Sequence, residues 1–151
     1  MAKILIVEDN ALNIKLFCDL LAAHGHEPEA VTDSRNALDK AKSFEPDLVI
    51  TDIQLPHVSG LDLIRMIRSD EQLAQVPIMA VTAYSGRGDE ERIRAAGAQA
   101  YVSKPISVVR FAQTVDHLLA APPAEQAPQD LANDDDSGGG GGPREAGGEE
   151  I

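Results

Sequence analysis

The sequence has a single cysteine, few basic residues and no long apolar stretch. Because Cys18 has no second cysteine to pair with, neither an internal disulfide nor a cysteine-based metal site can form. The 13 lysines and arginines face 25 acidic residues, and the net charge is -12. A nucleic-acid binder needs a basic face that neutralises phosphates, so nucleic acid is not an expected ligand.

Export and membrane insertion are not expected either. Glu8 and Asp9 directly follow a short apolar run at the N-terminus, which is unlike a signal peptide. The sequence contains no apolar run near the roughly 18 residues that are typical of a transmembrane helix. We therefore expect a cytoplasmic protein.

The composition changes near residue 121. Residues 122–151 contain eight acidic residues, one arginine and the run Gly138–Gly142, so their net charge is -7. With Leu131 and Ile151 as its only large aliphatic residues, this segment buries too little surface to offset its conformational entropy. We expect a folded domain over residues 1–121 and a disordered, acidic, glycine-rich tail over residues 122–151.

Within residues 1–121, short apolar runs alternate with segments of helical periodicity. Each run predicts a strand, and the runs lie at Ile4–Val7, Ala30–Val31, Leu48–Ile50, Ile78–Val81 and Ala100–Val102. Five strands alternating with five helices predict a parallel sheet covered on both faces, which is an open three-layer α/β sandwich.

The sequence also indicates where two helices begin and which helix faces are apolar. Ser59 and Asp62 form a capping-box pattern, and Ser107 can start the last helix. The apolar arc of the first helix, which includes Leu12 and Leu16, is wider than one core face needs. Burial on two sides and a binding surface both remain open as explanations. The inner face of the last helix is predicted to contain Val108, Phe111, Val115 and Leu118.

Polar residues follow four of the five predicted strands: Glu8 and Asp9 the first, Asp52 the third, Thr82 the fourth and Lys104 the fifth. The carboxyl ends of parallel strands lie along one edge, where open α/β sheets bind ligands. Each residue alone has a simpler explanation, such as a helix cap or a solvated lysine, but their joint occurrence favours a site. Clustered carboxylates repel one another, and hard oxygen ligands favour Mg²⁺.

These strand ends resemble those of the response-regulator receiver domains of two-component signalling. The resemblance covers residues 1–121, and its motifs are Ile4-Leu5-Ile6-Val7-Glu8-Asp9-Asn10, Asp47-Leu48-Val49-Ile50-Thr51-Asp52-Ile53-Gln54-Leu55-Pro56, Ala80-Val81-Thr82-Ala83 and Tyr101-Val102-Ser103-Lys104-Pro105. Two further stretches, 88–94 and 103–109, are similar to single-domain regulators of the bacterial cell cycle. The resemblance implies the flavodoxin-like strand order 2-1-3-4-5.

The resemblance also implies the chemistry of this edge. Asp52 would accept a phosphoryl group from a histidine kinase or a phosphotransfer protein. Mg²⁺ would be bound by Asp9, Asp52 and the backbone carbonyl of Gln54, while Glu8 would act mostly through water. We expect a phosphorylated switch rather than a turnover enzyme.

A conformational response is implied as well. Thr82 would hydrogen-bond the phosphoryl oxygen, Lys104 would form an ion pair with it, and Tyr101 would enter the space that Thr82 vacates. The Lys104–Pro105 bond would be cis, a form that proline tolerates.

The expected output is binding to another protein, because we expect no second folded region after residue 121. The weakly anchored helix from Arg87 to Ala96, the Tyr101 strand and the Ser107–Leu119 helix form the expected surface. The first helix is a competing candidate. Expected partners are histidine kinases, phosphotransfer proteins and downstream signalling proteins. Through them we expect the protein to associate with a cell pole and to act in cell-cycle or polarity control.

Three other functions fit parts of the pattern. A Mg²⁺-dependent aspartyl-phosphate phosphatase would have a second acid two residues after its nucleophile, where this chain has Gln54. A flavodoxin-like cofactor binder would have a phosphate-cradling loop in place of the acidic segment after the first strand. A receiver-like binding module that is not phosphorylated is disfavoured because every position of the acceptor site is filled appropriately.

Overall fold

A computed structural model describes residues 2–83 and 87–120, apart from the side chain of Arg87. The strands are β1 Lys3–Val7, β2 Glu27–Val31, β3 Leu48–Asp52, β4 Ile78–Thr82 and β5 Ala100–Ser103. The helices are α1 Ala11–Ala23, α2 Ala37–Phe44, α3 Gly60–Ser69, α4 Arg87–Ala96 and α5 Val108–Ala120, with a short 3-10 turn at Ser34–Asn36 before α2. The predicted tail, residues 122–151, lies outside the described residues.

All strand pairs are parallel, and the strands follow the order β2-β1-β3-β4-β5. Alternate side chains of a strand point to opposite faces of the sheet, so the sheet separates two apolar clusters. One cluster joins Leu5 and Val49 to Ile64 of α3. The other joins Ile6 to α1 and α5, where the rings of Phe17 and Phe111 stack with centroids 5.2 Å apart. The predicted three-layer sandwich is confirmed.

The edge strand β2 is longer than the sequence indicates. Its apolar pattern predicts only Ala30–Val31, whereas the strand begins at Glu27 and includes Pro28. Among the described strands, β2 pairs with β1 alone, so it needs neither an apolar side chain at every position nor an amide hydrogen on Pro28. Polar residues are therefore tolerated in this strand, and because of them the apolar pattern of the sequence predicts only its last two residues.

One prediction about helix faces is wrong, and one of two open explanations is excluded. The sequence predicts Val108 on the inner face of α5, but Val108 is 48% exposed, because it begins the helix ahead of the part that covers the sheet. For the wide apolar arc of α1, burial on two sides is excluded, since Leu12 is 79% exposed and Leu16 is 37% exposed. The remaining predicted core residues of α5 are buried, namely Phe111, Val115 and Leu118.

The helices are short, and two of them start as the sequence predicts. The Asp62 amide donates to Ser59 Oγ at 3.1 Å, and the Arg110 amide donates to Ser107 Oγ at 3.3 Å. Within the described part of the chain, none of the helices has the length and apolar character needed to span a bilayer.

Helix α2 ends at a residue in the left-handed backbone region. Glu45 has φ 56° and ψ 61°, and its amide donates to the carbonyl of Ala41. A side chain is unfavourable in this region, whereas glycine adopts it freely. We expect Glu45→Gly to raise the free energy of unfolding by about 0.5–1 kcal/mol. Thermal denaturation measures the change in stability. Glu45→Ala is the control, because it keeps the Cβ and should not be more stable than the wild type. A thermal midpoint of Glu45→Gly at or below that of the wild type would contradict this explanation.

Candidate metal and phosphoryl-acceptor site

Asp52 ends the central strand β3 and is 4% exposed. The backbone at the start of α3 packs so closely against β3 that a Cβ on Gly60 would overlap the Asp52 carbonyl oxygen. Only glycine permits α3 to begin so close to the strand. The backbone amide of Gln54 donates to Asp52 Oδ1 at 3.0 Å, and this hydrogen bond orients the carboxylate.

Two more carboxylates come from the end of the neighbouring strand β1. Glu8 is 1% exposed and its Oε2 accepts from the Asn10 amide at 3.1 Å, whereas Asp9 is exposed. One carboxylate oxygen each from Glu8, Asp9 and Asp52 lies within 4.8 Å of the others. The sheet therefore gathers three acids from two strands into one cluster.

Lys104 follows β5 and brings a positive charge to this cluster. Its Nζ donates to Asp52 Oδ2 at 2.7 Å and lies 3.9 Å from Glu8 Oε1. The Lys104–Pro105 peptide bond is cis. Residues from the first, third and fifth strands thus meet at one edge of the sheet.

The cluster has an excess of negative charge. Three carboxylates and one ammonium group leave a formal charge of -2. Burial raises the pKa of the Glu8 carboxyl, and the nearby Asp52 charge raises it further, although the Asn10 hydrogen bond and Lys104 act in the opposite direction. Glu8 Oε1 is buried and accepts no hydrogen bond from the described residues. An oxygen-rich cluster with unmet negative charge fits a hard divalent cation such as Mg²⁺.

Thr82 ends β4 beside this cluster. It is 1% exposed, and because Asp52 pairs in register with Val81, Thr82 lies one position further toward the carboxyl edge. Its carbonyl accepts from the Lys104 amide at 2.8 Å. The strand pairing therefore fixes the hydroxyl-bearing residue next to the acid and the lysine.

Tyr101 lies in β5 and is 4% exposed, so its ring is already inside the fold. Its hydroxyl donates to Glu90 Oε1 at 3.4 Å, and the Arg94 guanidinium lies 5.8 Å from its ring centroid. Arg94 Nε also donates to Glu90 Oε2 at 3.1 Å. These contacts connect β5 to helix α4.

Ser34, which is 2% exposed in the turn before α2, is a site residue that the sequence does not reveal. Its hydroxyl bonds to the loop between β3 and α3, across 22 and 24 residues of sequence. No local motif marks such a residue, because its contacts exist only after the sheet has formed.

The sequence is similar to those of known signalling proteins. The family model for the response regulator receiver domain matches residues 4–116. A polar-differentiation response regulator DivK from Brucella ovis is 51% identical over 116 residues, which are 77% of this chain and 94% of that protein. The DivK of Brucella anthropi is 50% identical over the same shares of the two chains.

The fold is also similar to those of solved structures. The chemotaxis protein CheY4 of Vibrio cholerae is 28% identical with a TM-score of 0.75, over 79% of this chain and 99% of that one. The receiver domain of the sensor histidine kinase PA1611 from Pseudomonas aeruginosa has a magnesium ion coordinated in its active-site cleft. It is 30% identical with a TM-score of 0.74, over 80% of this chain and 98% of that one. By its sequence and its fold, the chain belongs to the response regulator receiver domain family.

Proposed function

We propose that this protein is a phosphorylation switch in which Asp52 accepts a phosphoryl group in a Mg²⁺-dependent reaction. The observation that carries the proposal is the geometry around Asp52. Oxygen atoms of Glu8, Asp9 and Asp52 lie within 4.8 Å of one another, and Lys104 Nζ lies 2.7 Å from Asp52 Oδ2. This arrangement combines a carboxylate nucleophile with the charges that phosphoryl transfer requires.

In the proposed metal site, Asp9, Asp52 and the Gln54 carbonyl would hold Mg²⁺ directly, and Glu8 would act mostly through water. Bound Mg²⁺ supplies positive charge that offsets the carboxylates and the charge on the phosphoryl oxygens. The buried Glu8 Oε1, which accepts no hydrogen bond from the described residues and lies 3.9 Å from Lys104 Nζ, supports this assignment.

The transfer itself is proposed to be a displacement at phosphorus. A carboxylate oxygen of Asp52 attacks the phosphorus of a phosphohistidine, the P–N bond breaks, and its electron pair stays on the imidazole. Lys104 pairs with the transferred group, and Thr82 donates a hydrogen bond to one of its oxygens. The positions of both residues beside Asp52 support these roles.

The proposed output is a change at α4, β5 and α5. Among the described side chains of α4, Ile93 at 2% and Ala96 at 6% exposure are the apolar ones that are buried, so few apolar contacts hold this helix. The Tyr101 hydroxyl and ring contact Glu90 and Arg94 of the same helix. A shift of Thr82 toward a phosphoryl group can therefore reach α4 through β5.

The proposed phosphoryl donors are histidine kinases or phosphotransfer proteins, and the proposed targets are downstream signalling proteins. Similarity to the DivK proteins of Brucella, which are named for polar differentiation, supports a role in cell-cycle or polarity control. We favour a switch over an aspartyl-phosphate phosphatase because Gln54 stands where such an enzyme has its second acid.

Labelling with acetyl phosphate tests this function. The purified protein should acquire one acid-stable, base-labile acyl phosphate per chain when Mg²⁺ is present, and none when EDTA removes the metal. Full labelling in EDTA would overturn the metal requirement. No label with Mg²⁺ from either acetyl phosphate or a panel of phosphorylated kinases would overturn the phosphoacceptor assignment in favour of a binding module that is not phosphorylated.

Lys104→Ala should separate phosphorylation from the response to it. The variant keeps Asp52 and the other acids, so we expect it to be labelled, while the amide shifts of Tyr101 and α4 no longer change on phosphorylation. Lys15→Ala is the control, because Lys15 is exposed and pairs with Asp19 at 2.9 Å. Shifts in phosphorylated Lys104→Ala that match those of the phosphorylated wild type would contradict the coupling.

A further inference from the structure

A buried hydroxyl joins the turn before α2 to the loop after β3. Ser34 Oγ donates to the carbonyl of Pro56 at 2.7 Å and accepts from the amide of Val58 at 3.0 Å. The side chain therefore uses both its donor and an acceptor position on one short stretch of backbone. With Ser34 2% exposed, water has little access to replace either bond.

The stretch held by Ser34 is otherwise unfavourable. His57, between the two bonded residues, has φ 71°, a left-handed conformation that non-glycine residues seldom adopt. At the C-terminal end of the loop, the Gly60 amide donates to the Ile53 carbonyl at 2.9 Å. The Ser34 bonds hold the middle of the loop, where the backbone would otherwise relax.

The loop, residues 53–59, begins directly after Asp52 of the acidic cluster. The Gln54 amide orients Asp52 Oδ1, and Gln54 is two residues before Pro56. A displacement of the loop at Pro56 is therefore transmitted over two residues to the peptide that holds the Asp52 carboxylate. Because metal sites depend on the hydrogen bonds that orient their ligands, loss of such support weakens metal binding.

We infer that Ser34 is a positioning residue for the metal and acceptor site, acting through its two hydrogen bonds to the loop that carries Gln54. This inference rests on the proposed function, since it assumes that the cluster binds Mg²⁺. The hydrogen bonds of the Ser34 hydroxyl go to Pro56 and Val58 rather than to Asp52 or Gln54. Its effect is on the affinity of the site for the ion, and the reaction at saturating Mg²⁺ is little changed.

The test compares Ser34→Ala with Ser59→Ala. Ser59 lies at the other end of the same loop, and its hydroxyl accepts the Asp62 amide at the start of α3. Both variants lose one hydroxyl and some stability, but only Ser34→Ala releases the loop beside Gln54. Titration with Mg²⁺, followed by the amide signals of Asp52 and Gln54, gives the dissociation constant without any phosphorylation. Thermal denaturation of each variant checks its folding.

We expect Ser34→Ala to weaken Mg²⁺ binding about tenfold, and Ser59→Ala to leave it within about twofold of the wild type. The labelling rate of Ser34→Ala should return to that of the wild type at saturating Mg²⁺. Ser34→Thr, which keeps the hydroxyl, should restore the affinity. If Ser34→Ala does not fold, Ser34→Cys takes its place, because the thiol fills the volume of the hydroxyl but is only a weak hydrogen-bond donor and acceptor.

Equal Mg²⁺ affinity in the wild type and the hydroxyl-free variant would overturn the inference. Equal weakening in Ser34→Ala and Ser59→Ala would overturn it too, because the effect would then follow stability alone. Failure of the wild type itself to bind Mg²⁺ would instead refute the proposed function, so the two failures are distinguishable.

Discussion

Asp52→Asn should abolish labelling by acetyl phosphate, with a loss of at least about 100-fold relative to the wild type. An amide is a poor nucleophile and cannot form an acyl phosphate by this displacement. The substitution keeps the shape of the side chain and removes one negative charge from an acid-rich cluster, and its amide oxygen can still accept from one of the two donors at Asp52, the Gln54 backbone amide or Lys104 Nζ. The loss should therefore come from the chemistry rather than from unfolding, and the label is measured by autoradiography after denaturing electrophoresis.

Asp47→Asn is the matched control for this experiment. Asp47 lies just before the same strand, at its opposite end, and its carboxylate accepts the Lys3 amide at 2.8 Å. We expect wild-type labelling of this variant. Label that persists in Asp52→Asn and maps to Asp9 would transfer the acceptor role to that residue, and it would contradict the assignment of Asp52.

Arg68→Ala should be the most destabilising substitution considered for this protein. The half-buried guanidinium donates four hydrogen bonds, which reach three backbone carbonyls and one side-chain amide. The acceptors are the carbonyls of Ala74, Val76 and Gly97 and the Oε1 atom of Gln99. Burial lowers the pKa of the guanidinium, because the charged form loses hydration.

These bonds connect three separate parts of the fold. They join α3 to the loop before β4 and to the connection between α4 and β5, where Gln99 Oε1 also accepts the Ile78 amide at 2.8 Å. The Arg68 side chain also packs tightly against Gly97, since a Cβ on Gly97 would lie 2.6 Å from Arg68 Cγ. Removal of the guanidinium leaves several carbonyls without a donor, so we expect a loss of about 3 kcal/mol in the free energy of unfolding.

For a domain of this size, that loss corresponds to a fall of about 12 °C in the thermal midpoint. Arg65→Ala is the control on the same helix. Its guanidinium is 3.0 Å from Asp62, both side chains are more than half exposed, and an exposed pair of this kind contributes less than about 1 kcal/mol. Arg68→Lys should also be destabilised, because an ammonium group has three N–H donors and cannot keep all four hydrogen bonds, whose acceptors lie in two separate segments at residues 74–76 and 97–99. Midpoints of Arg68→Ala and Arg65→Ala that agree within error would contradict this account.

The role of Asp52 can be predicted from the sequence, whereas that of Arg68 cannot. Asp52 directly follows an apolar run, and the rule that parallel strands end at one edge predicts its neighbours. Arg68 lies on an amphipathic helix with no sign that its charge will be half buried. Its acceptors are backbone carbonyls, which every residue has, so composition carries no information about them.

The sequence by itself determined the parallel sheet and its crossover helices, because the apolar runs and the helical periodicity are local properties. It also determined which residues stand at the strand ends, and hence the convergence of Glu8, Asp9, Asp52 and Lys104. The tertiary structure alone decided which parts of the surface are covered. Leu12 and Val108 fit apolar faces in the sequence, yet both are exposed because no other described element packs over them. It also decided the partners of Ser34 and Arg68, since a hydrogen bond between distant segments depends on distances that arise only when the layers pack together.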